Sequence, residues 1–173
     1  PAQAWPPTAW AGLVATLLAH AAGVNNLGIH MEISEISKKD LHGLSELYQQ
    51  LIPNSFDISK MEKVLASNQS NSNHMVLVAK DHDRVIGTLL SSCCEMLFGE
   101  CNSFMVVEDV VVDVKYRRQG IGESLMGWAE SHAKSRNCSY IMLITDRDRI
   151  GSQRFYQSLG YDMDDYCAFK KHL

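Results

Sequence analysis

The stretch that most restricts how this chain can fold is Ser103 to Met126, a long run rich in valine that gives way to "KYRRQGIGESLM". The unbroken apolar part of Ser103 to Val114 reads as a strand buried on both faces, the kind found in sheets covered by helices. From Gly120 to Ser135 the residues Ile121, Leu125, Trp128, Ala129 and His132 recur at helical spacing. "YIMLIT" then reads as another buried strand. Strand, helix and strand at this spacing form a βαβ unit, so the sheet is at least partly parallel. Two arginines and two glycines at the start of the helix carry a second implication. Free backbone amides and the helix dipole there both favour an anion.

The other segments of 31–173 alternate in the same manner. "MEISEIS" has the period of an edge strand, and Ser37 to Asp40 resembles a capping box. Leu41, Leu44, Leu47, Tyr48 and Leu51 line one face of a helix stopped by Pro53, and a second helix fits Ser59 to Ser67. "MVLVAK" and "RVIGTLLSSCC" flank Asp81-His82-Asp83 as a hairpin. A short helix from Ser152 to Leu159 ends at Gly160, and "YDMDDYCAFKK" has the pattern of closing strands. The class is mixed α/β, without internal repeats.

The 173 residues are 46% hydrophobic and 21% charged, the make-up of one domain with enough apolar material for a real core. A net charge of -4 argues against a nucleic-acid partner, because phosphate-driven affinity needs a basic surface. The five cysteines (Cys93, Cys94, Cys101, Cys138, Cys167) form no CxxC pair, which suits neither a disulfide framework nor zinc. Reduced thiols in a cytoplasmic protein without a metal are the expectation. Residues 1–30 contain no Asp, Glu, Lys or Arg, and their apolar run is shorter than the roughly 20 residues needed to cross a bilayer. They lack the basic start of a secretory signal, and His30-Met31 reads as a junction before the first strand pattern. We expect 1–30 to be an expression leader or N-terminal extension, with no membrane partner, and 31–173 to be the folded domain. The other reading of 1–30 is an apolar helix that packs on a partner chain.

Familiar phosphate loops can be tested against the glycines. A Walker loop requires Gly-Lys-Ser/Thr, and Glu123 follows Gly122 here. A dinucleotide fingerprint requires a third glycine where this chain has Leu125. What remains is Arg117-Arg118-Gln119-Gly120-Ile121-Gly122, an Arg-x-x-Gly-x-Gly loop. It closely resembles the pyrophosphate loop of the GNAT superfamily of N-acetyltransferases, which bind acetyl-CoA. Downstream, Arg154-Phe155-Tyr156-Gln157-Ser158-Leu159-Gly160-Tyr161 resembles the second signature of that family, in the expected order and after one strand. The resemblance covers 31–173 and implies the acyl-CoA N-acyltransferase fold, a central twisted mixed sheet flanked by helices. If purely structural, the same residues would be turn glycines, solvated arginines and core aromatics.

Acetyl transfer from a thioester to an amine must deprotonate the amine, stabilise an oxyanion and let a thiolate leave. The resemblance implies that Val110, Val111 and Val112 splay from the next parallel strand near a bulge and offer backbone groups to the pantetheine. It places Arg117, Arg118, Gln119, Gly120, Ile121, Gly122 and Glu123 at the pyrophosphate. Ser152 and Arg149 depart from residues common in relatives, which weakens any side-chain contact assigned to Ser152. "EDVVV" resembles glucosamine-6-phosphate N-acetyltransferases in particular, in which carboxylates here contact the acceptor. Strand alternation sets Glu108 and Asp109 on opposite faces, one of them towards the cleft. Glu108 is the candidate base, directly or through a water, and Tyr156 matches the tyrosine that protonates the leaving sulfur. A phenol with a pKa of about 10 is protonated at neutral pH and can donate to a thiolate whose acid lies at about 8.5. Asp109 and Tyr48 are candidates for the acceptor side. The implied co-substrate is acetyl-CoA, the acceptor a small-molecule amine such as an amino sugar phosphate, and a homodimer is an option. A protein or peptide N-acetyltransferase and a catalytically silent CoA-binding module are the alternatives.

Overall fold

The computed structural model describes residues 23–24, 30–54, 56–68 and 70–173. Among these, six strands form one sheet in sequence order: β1 (Gly23–Val24), β2 (His30–Glu35), β3 (His74–Asp81), β4 (Arg84–Cys94), β5 (Ser103–Val112) and β6 (Cys138–Leu143). β1 to β5 are antiparallel neighbours, and β5 with β6 is the parallel pair that the βαβ pattern requires. Four α-helices accompany them: α1 (Leu41–Gln49), α2 (Ile58–Asn68), α3 (Ile121–Ser135) and α4 (Ile150–Ser158). Of the expected leader, Gly23 and Val24 pair with Met31 and His30, and the rest of 1–29 lies outside the described residues.

The two faces of the sheet bury separate cores. α3 covers one face, where Ile121, Leu125, Met126 and Ala129 meet Leu77, Ile86, Leu89, Met105 and Val107. α1 covers the other with Leu41, Leu44 and Leu47 against Val78, Val85 and Val111. The capping box that starts this helical segment is present, with the Ser37 amide donating to Asp40 Oδ2 at 2.9 Å. Asp40 is buried and has Lys80 Nζ at 3.8 Å, so its second oxygen also meets a positive charge. A buried carboxylate without such partners would be strongly destabilising.

Two expectations are corrected. "YIMLIT" is not a buried strand: β6 is an edge strand among the described residues, with Tyr140 49% and Met142 40% exposed. "YDMDDYCAFKK" forms no strand, and everything after Gly160 lacks regular structure. The two corrections have one cause. A strand needs a partner edge, and alternation alone does not supply it.

Candidate active site

The site is built where β5 changes its pairing. Against β4, Leu90 pairs with Glu108, and the next pair is Thr88 with Val111. Asp109 and Val110 therefore share Leu89, a β-bulge in which Asp109 adopts a left-handed φ of 53°. Against β6, the last pair is Val107 with Leu143, so residues 108–112 have no β6 partner. The two parallel strands open into a cleft with the bulge at its apex.

Which valines face that opening follows from the ladder. The Asp113 amide donates to Ile86 O at 2.9 Å, which makes 86 and 113 a hydrogen-bonded pair. By alternation Val111 spends its backbone groups on Thr88, and Val112 turns its own towards the cleft. Arg117 Nε accordingly reaches back and donates to Val112 O at 3.1 Å. The Val110 and Val112 side chains pack with the α3 core, whereas Val111 is buried on the α1 side. Of the three valines, Val111 does not reach the cleft.

The bulge also alters the aim of the carboxylates. Met105 and Val107 belong to the α3 core, and so does Val110, three residues after Val107 rather than two. Glu108 and Asp109 thus both fall on the α1 side, which corrects the expectation of opposite faces. Burial and then the Asp109 charge raise the pKa of Tyr48 on α1, and its ring is 5.8 Å from that of Phe56. Burial raises the pKa of Asp109, and the Tyr48 contact partly opposes this. Burial also raises Glu108; the neighbouring Asp109 charge adds to the effect and Lys170 opposes it. Tyr156 on α4 is raised by burial and then by the charge of Glu108, while Arg149 pulls the other way. The Glu108 charge is therefore felt at Tyr156. Neutral phenol is the form that Tyr156 keeps.

At the other end of the cleft the loop is held rigidly. Buried Asp113 accepts from the Lys115 amide at 2.9 Å and from Arg84 Nη2 at 3.0 Å. Burial works against its charge, yet these donors more than offset it and hold the pKa below the usual carboxylate range. Arg118 (φ 62°) and Gly120 (φ 81°) turn the chain into α3, whose first recorded backbone bond runs from Ser124 N to Gly120 O at 2.9 Å. The amides of Ile121, Gly122 and Glu123 consequently lack a carbonyl one turn back, the arrangement that binds phosphate. The side chain of Ile121 is buried, so only its amide is available; those of Arg118 and Glu123 are exposed. Gln119 Nε2 donates to Lys115 O at 3.2 Å, within the loop.

The two glycines do different work. A Cβ on Gly120 would meet nothing within 4 Å, so its left-handed backbone is what demands glycine. A Cβ on Gly122 would come 3.1 Å from Phe155 Cζ. Gly122 therefore lets α3 close on α4, the helix that carries Tyr156. Ser152 lies half-buried in the first turn of α4, and its amide donates to Arg149 O at 3.0 Å.

Asp113, Arg84, Phe56, Thr88 and Lys170 were not anticipated. The Arg84–Asp113 pair spans two strands and Lys170 lies beyond both motifs, so no local pattern marks them. Among the described residues, no group of three or more His, Cys, Asp or Glu side chains could hold a metal ion.

Comparison with known proteins decides the family. The sequence profile described as the acetyltransferase (GNAT) family matches residues 41–161. The chain belongs to that family. GNAT enzymes transfer an acetyl group from acetyl-CoA, and this chain is an N-acetyltransferase. It is 25% identical over 142 residues to the aminoalkylphosphonate N-acetyltransferase of Salmonella typhimurium, covering 82% of this chain and 91% of that one. A putative acetyltransferase from Agrobacterium tumefaciens superposes with a TM-score of 0.76 at 24% identity over 82% of this chain and 99% of that structure. The glucosamine-6-phosphate N-acetyltransferase of Arabidopsis thaliana gives 0.74 at 20% identity over 82% and 97%. At these identities the structural matches speak for the fold, and the fold is the GNAT sheet.

Proposed function

We propose that this GNAT chain acetylates the primary amine of a small molecule, an amino sugar phosphate among the candidates, by direct transfer within a ternary complex. The observation that supports it best is the cleft opened where β5 leaves β6 at its bulge, with burial and then the charge of Glu108 on β5 raising the pKa of Tyr156 on α4. The residues present suit acetyl-CoA: an unpaired edge at Val112 for an extended amide chain, and free amides at 121–123 for a pyrophosphate. When bound, it supplies an activated acetyl group as a thioester. Glu108, with its pKa raised by burial, takes the proton of the incoming ammonium, directly or through a water. The Val112 amide is positioned to donate into the cleft. Tyr156 holds the proton that the departing sulfur needs.

A relative named for aminoalkylphosphonates and a structural neighbour named for glucosamine 6-phosphate both support an acceptor that carries phosphorus beside its amine. A second reading, a polypeptide amine as acceptor, is favoured by one observation: the Lys170 ammonium acts on Glu108. Free thiols at all five cysteines support a cytoplasmic setting, and the open β6 edge supports a homodimer. We propose a leader or N-terminal extension for residues 1–30, of which Gly23, Val24 and His30 pair into the sheet. The deciding experiment follows free CoA while acetyl-CoA is offered with a panel of amines that includes glucosamine 6-phosphate, 2-aminoethylphosphonate, spermidine and a lysine peptide. Turnover of the phosphorylated or phosphonylated amines supports the first reading. Turnover of the peptide alone replaces it with the second, and CoA binding without any turnover makes the chain a silent CoA module.

A further inference from the structure

Between the open edge at Val112 and the amides of 121–123 the chain passes through Asp113 to Gln119. Asp113 to Tyr116 carry no part of the Arg-x-x-Gly-x-Gly motif, yet they are the most heavily bonded stretch of this connection. A single 3-10 turn, Val114–Tyr116, begins it. Asp113 N donates to Ile86 O at 2.9 Å and Val114 N to Gln50 Oε1 at 3.0 Å. Lys115 N donates to Asp113 Oδ1 at 2.9 Å and Tyr116 N to Asp113 O at 2.8 Å. Four consecutive amides thus have protein partners, two of them side-chain oxygens. An exposed turn can leave such amides to water, so joining a strand to a helix does not by itself call for these partners.

Asp113 is the centre of the arrangement. It is only 4% exposed, and its second oxygen accepts from Arg84 Nη2 at 3.0 Å. A carboxylate buried to this degree is costly unless it is paired and hydrogen-bonded. Arg84 also lies 5.4 Å from the ring centre of Tyr116, and the Tyr116 hydroxyl donates to Asp81 Oδ2 at 3.4 Å. The β3–β4 hairpin therefore grips the turn at both ends, while Gln50, the residue after α1, holds its middle. Beyond the turn, Arg117 Nε returns to Val112 O and Gln119 Nε2 to Lys115 O. The connection before Gly120 is fixed by the protein itself, and the amides after it are left for a ligand. A phosphate site made of backbone amides depends on where those amides point, and a loop that must order on binding loses affinity.

We propose that Asp113 is a positioning residue for acetyl-CoA: with Arg84 and Gln50 it fixes the turn at 114–116 before the ligand arrives, so that the amides at the head of α3 need no ordering on binding. The proposal rests on the acetyltransferase reading above and deepens it at the CoA end of the cleft. It has Arg84 act through the Asp113 carboxylate and not on a phosphate.

The test measures calorimetric CoA affinity and acetyl-CoA kinetics on the full chain with Asp113→Ala, Asp113→Asn, Arg84→Gln and the Asp113→Ala/Arg84→Gln double variant. Alanine removes both acceptors, whereas asparagine keeps one for the Lys115 amide. CoA affinity per folded molecule should fall about tenfold for Asp113→Ala and about threefold for Arg84→Gln, with Asp113→Asn between them. The double variant should be no weaker than Asp113→Ala, because both changes act through one contact. The KM for acetyl-CoA should rise by the same factors, with kcat at saturating acetyl-CoA and the acceptor KM little changed. If Asp113→Ala does not fold, Arg84→Gln and Gln50→Ala, both at exposed positions, carry the test, each expected to weaken CoA binding about threefold. Lower urea stability with unchanged CoA affinity in every variant would make Asp113 a stabilising residue only and overturn the proposal. So would a loss confined to kcat or to the acceptor KM. Additive losses in the double variant would show that Arg84 meets the ligand independently. If the unmodified chain does not bind CoA, the acetyltransferase reading and the proposal fall together. If it binds CoA and turns over no amine, the transfer reading fails while the affinities still decide the proposal.

Discussion

The two halves of β5 both carry valines and sit in opposite circumstances. Ser103 to Val107 is paired with β4 on one side and β6 on the other, and Met105 and Val107 are buried in the α3 core. Glu108 to Val112 is paired on one side only, carries the bulge and has the strand's single left-handed residue. A strand interior normally satisfies all its backbone groups, so an unpaired edge next to a strained residue is a cost that folding alone does not explain. The first half is built for stability. On the function proposed above, the second half gives some of it up for a place where ligand backbone groups meet a carboxylate.

The separation breaks if substitutions in the two halves have the same consequences. The largest effect is expected for Glu108→Gln, which should lower kcat on the order of 10²–10⁴-fold at neutral pH. Because the side chain is exposed in the cleft, thermal stability and CoA affinity should hardly change. The acidic limb of the wild-type pH–rate profile should also lie above the ordinary glutamate range, since the Glu108 pKa is raised by burial. Met105→Ala in the closed half should do the reverse. It removes a fully buried side chain, so chemical denaturation should show a loss of about 2–5 kcal/mol. Turnover per folded molecule should be preserved.

Much of this division was legible in the chain itself. The valine run, the Arg-x-x-Gly-x-Gly loop and the Phe155-Tyr156 pair located the cleft, because each is a local pattern with a local structural consequence. The phase slip at Asp109 was not visible. A bulge is a two-to-one pairing between strands, set here opposite Leu89 on another strand, some twenty positions away in the chain. Gly122 shows the same limit from the other side. It reads as a phosphate-loop glycine, but its nearest neighbour is Phe155, which the chain places one strand and one helix later.

A third expectation concerns the face that supports both halves. Burial pushes the pKa of His132 on α3 down to about 4, with Arg136 adding to the effect, and its ring is 5.0 Å from that of Trp128. The folded state keeps this histidine neutral while the unfolded chain protonates at about 6.5. Its contribution is therefore fully present above that value and is lost as pH falls towards 4, on the order of 2–4 kcal/mol. Urea midpoints should drop over this window, and His132→Gln should flatten the drop.

The glycines sharpen the comparison further. Gly120→Val must hold valine at a φ of 81°, which costs about 1–3 kcal/mol and distorts the amides at the head of α3, so CoA affinity should fall. Gly122→Val pushes Phe155 and with it α4, so kcat should fall together with CoA affinity. Calorimetry alongside steady-state kinetics separates the two. The smallest effect is expected from a chain that starts at His30. Losing the two β1 pairs should cost no more than about 1 kcal/mol and leave turnover intact.

The most direct test is amide hydrogen exchange along β5, residue by residue, with and without saturating CoA. The account predicts that Met105 and Val107 are protected in both states. The Val112 amide should exchange quickly in the free chain and become protected when CoA is bound. Protection of Val112 already in the free chain, or fast exchange there that CoA leaves unchanged, would contradict the claim that the second half of β5 is held open for this ligand.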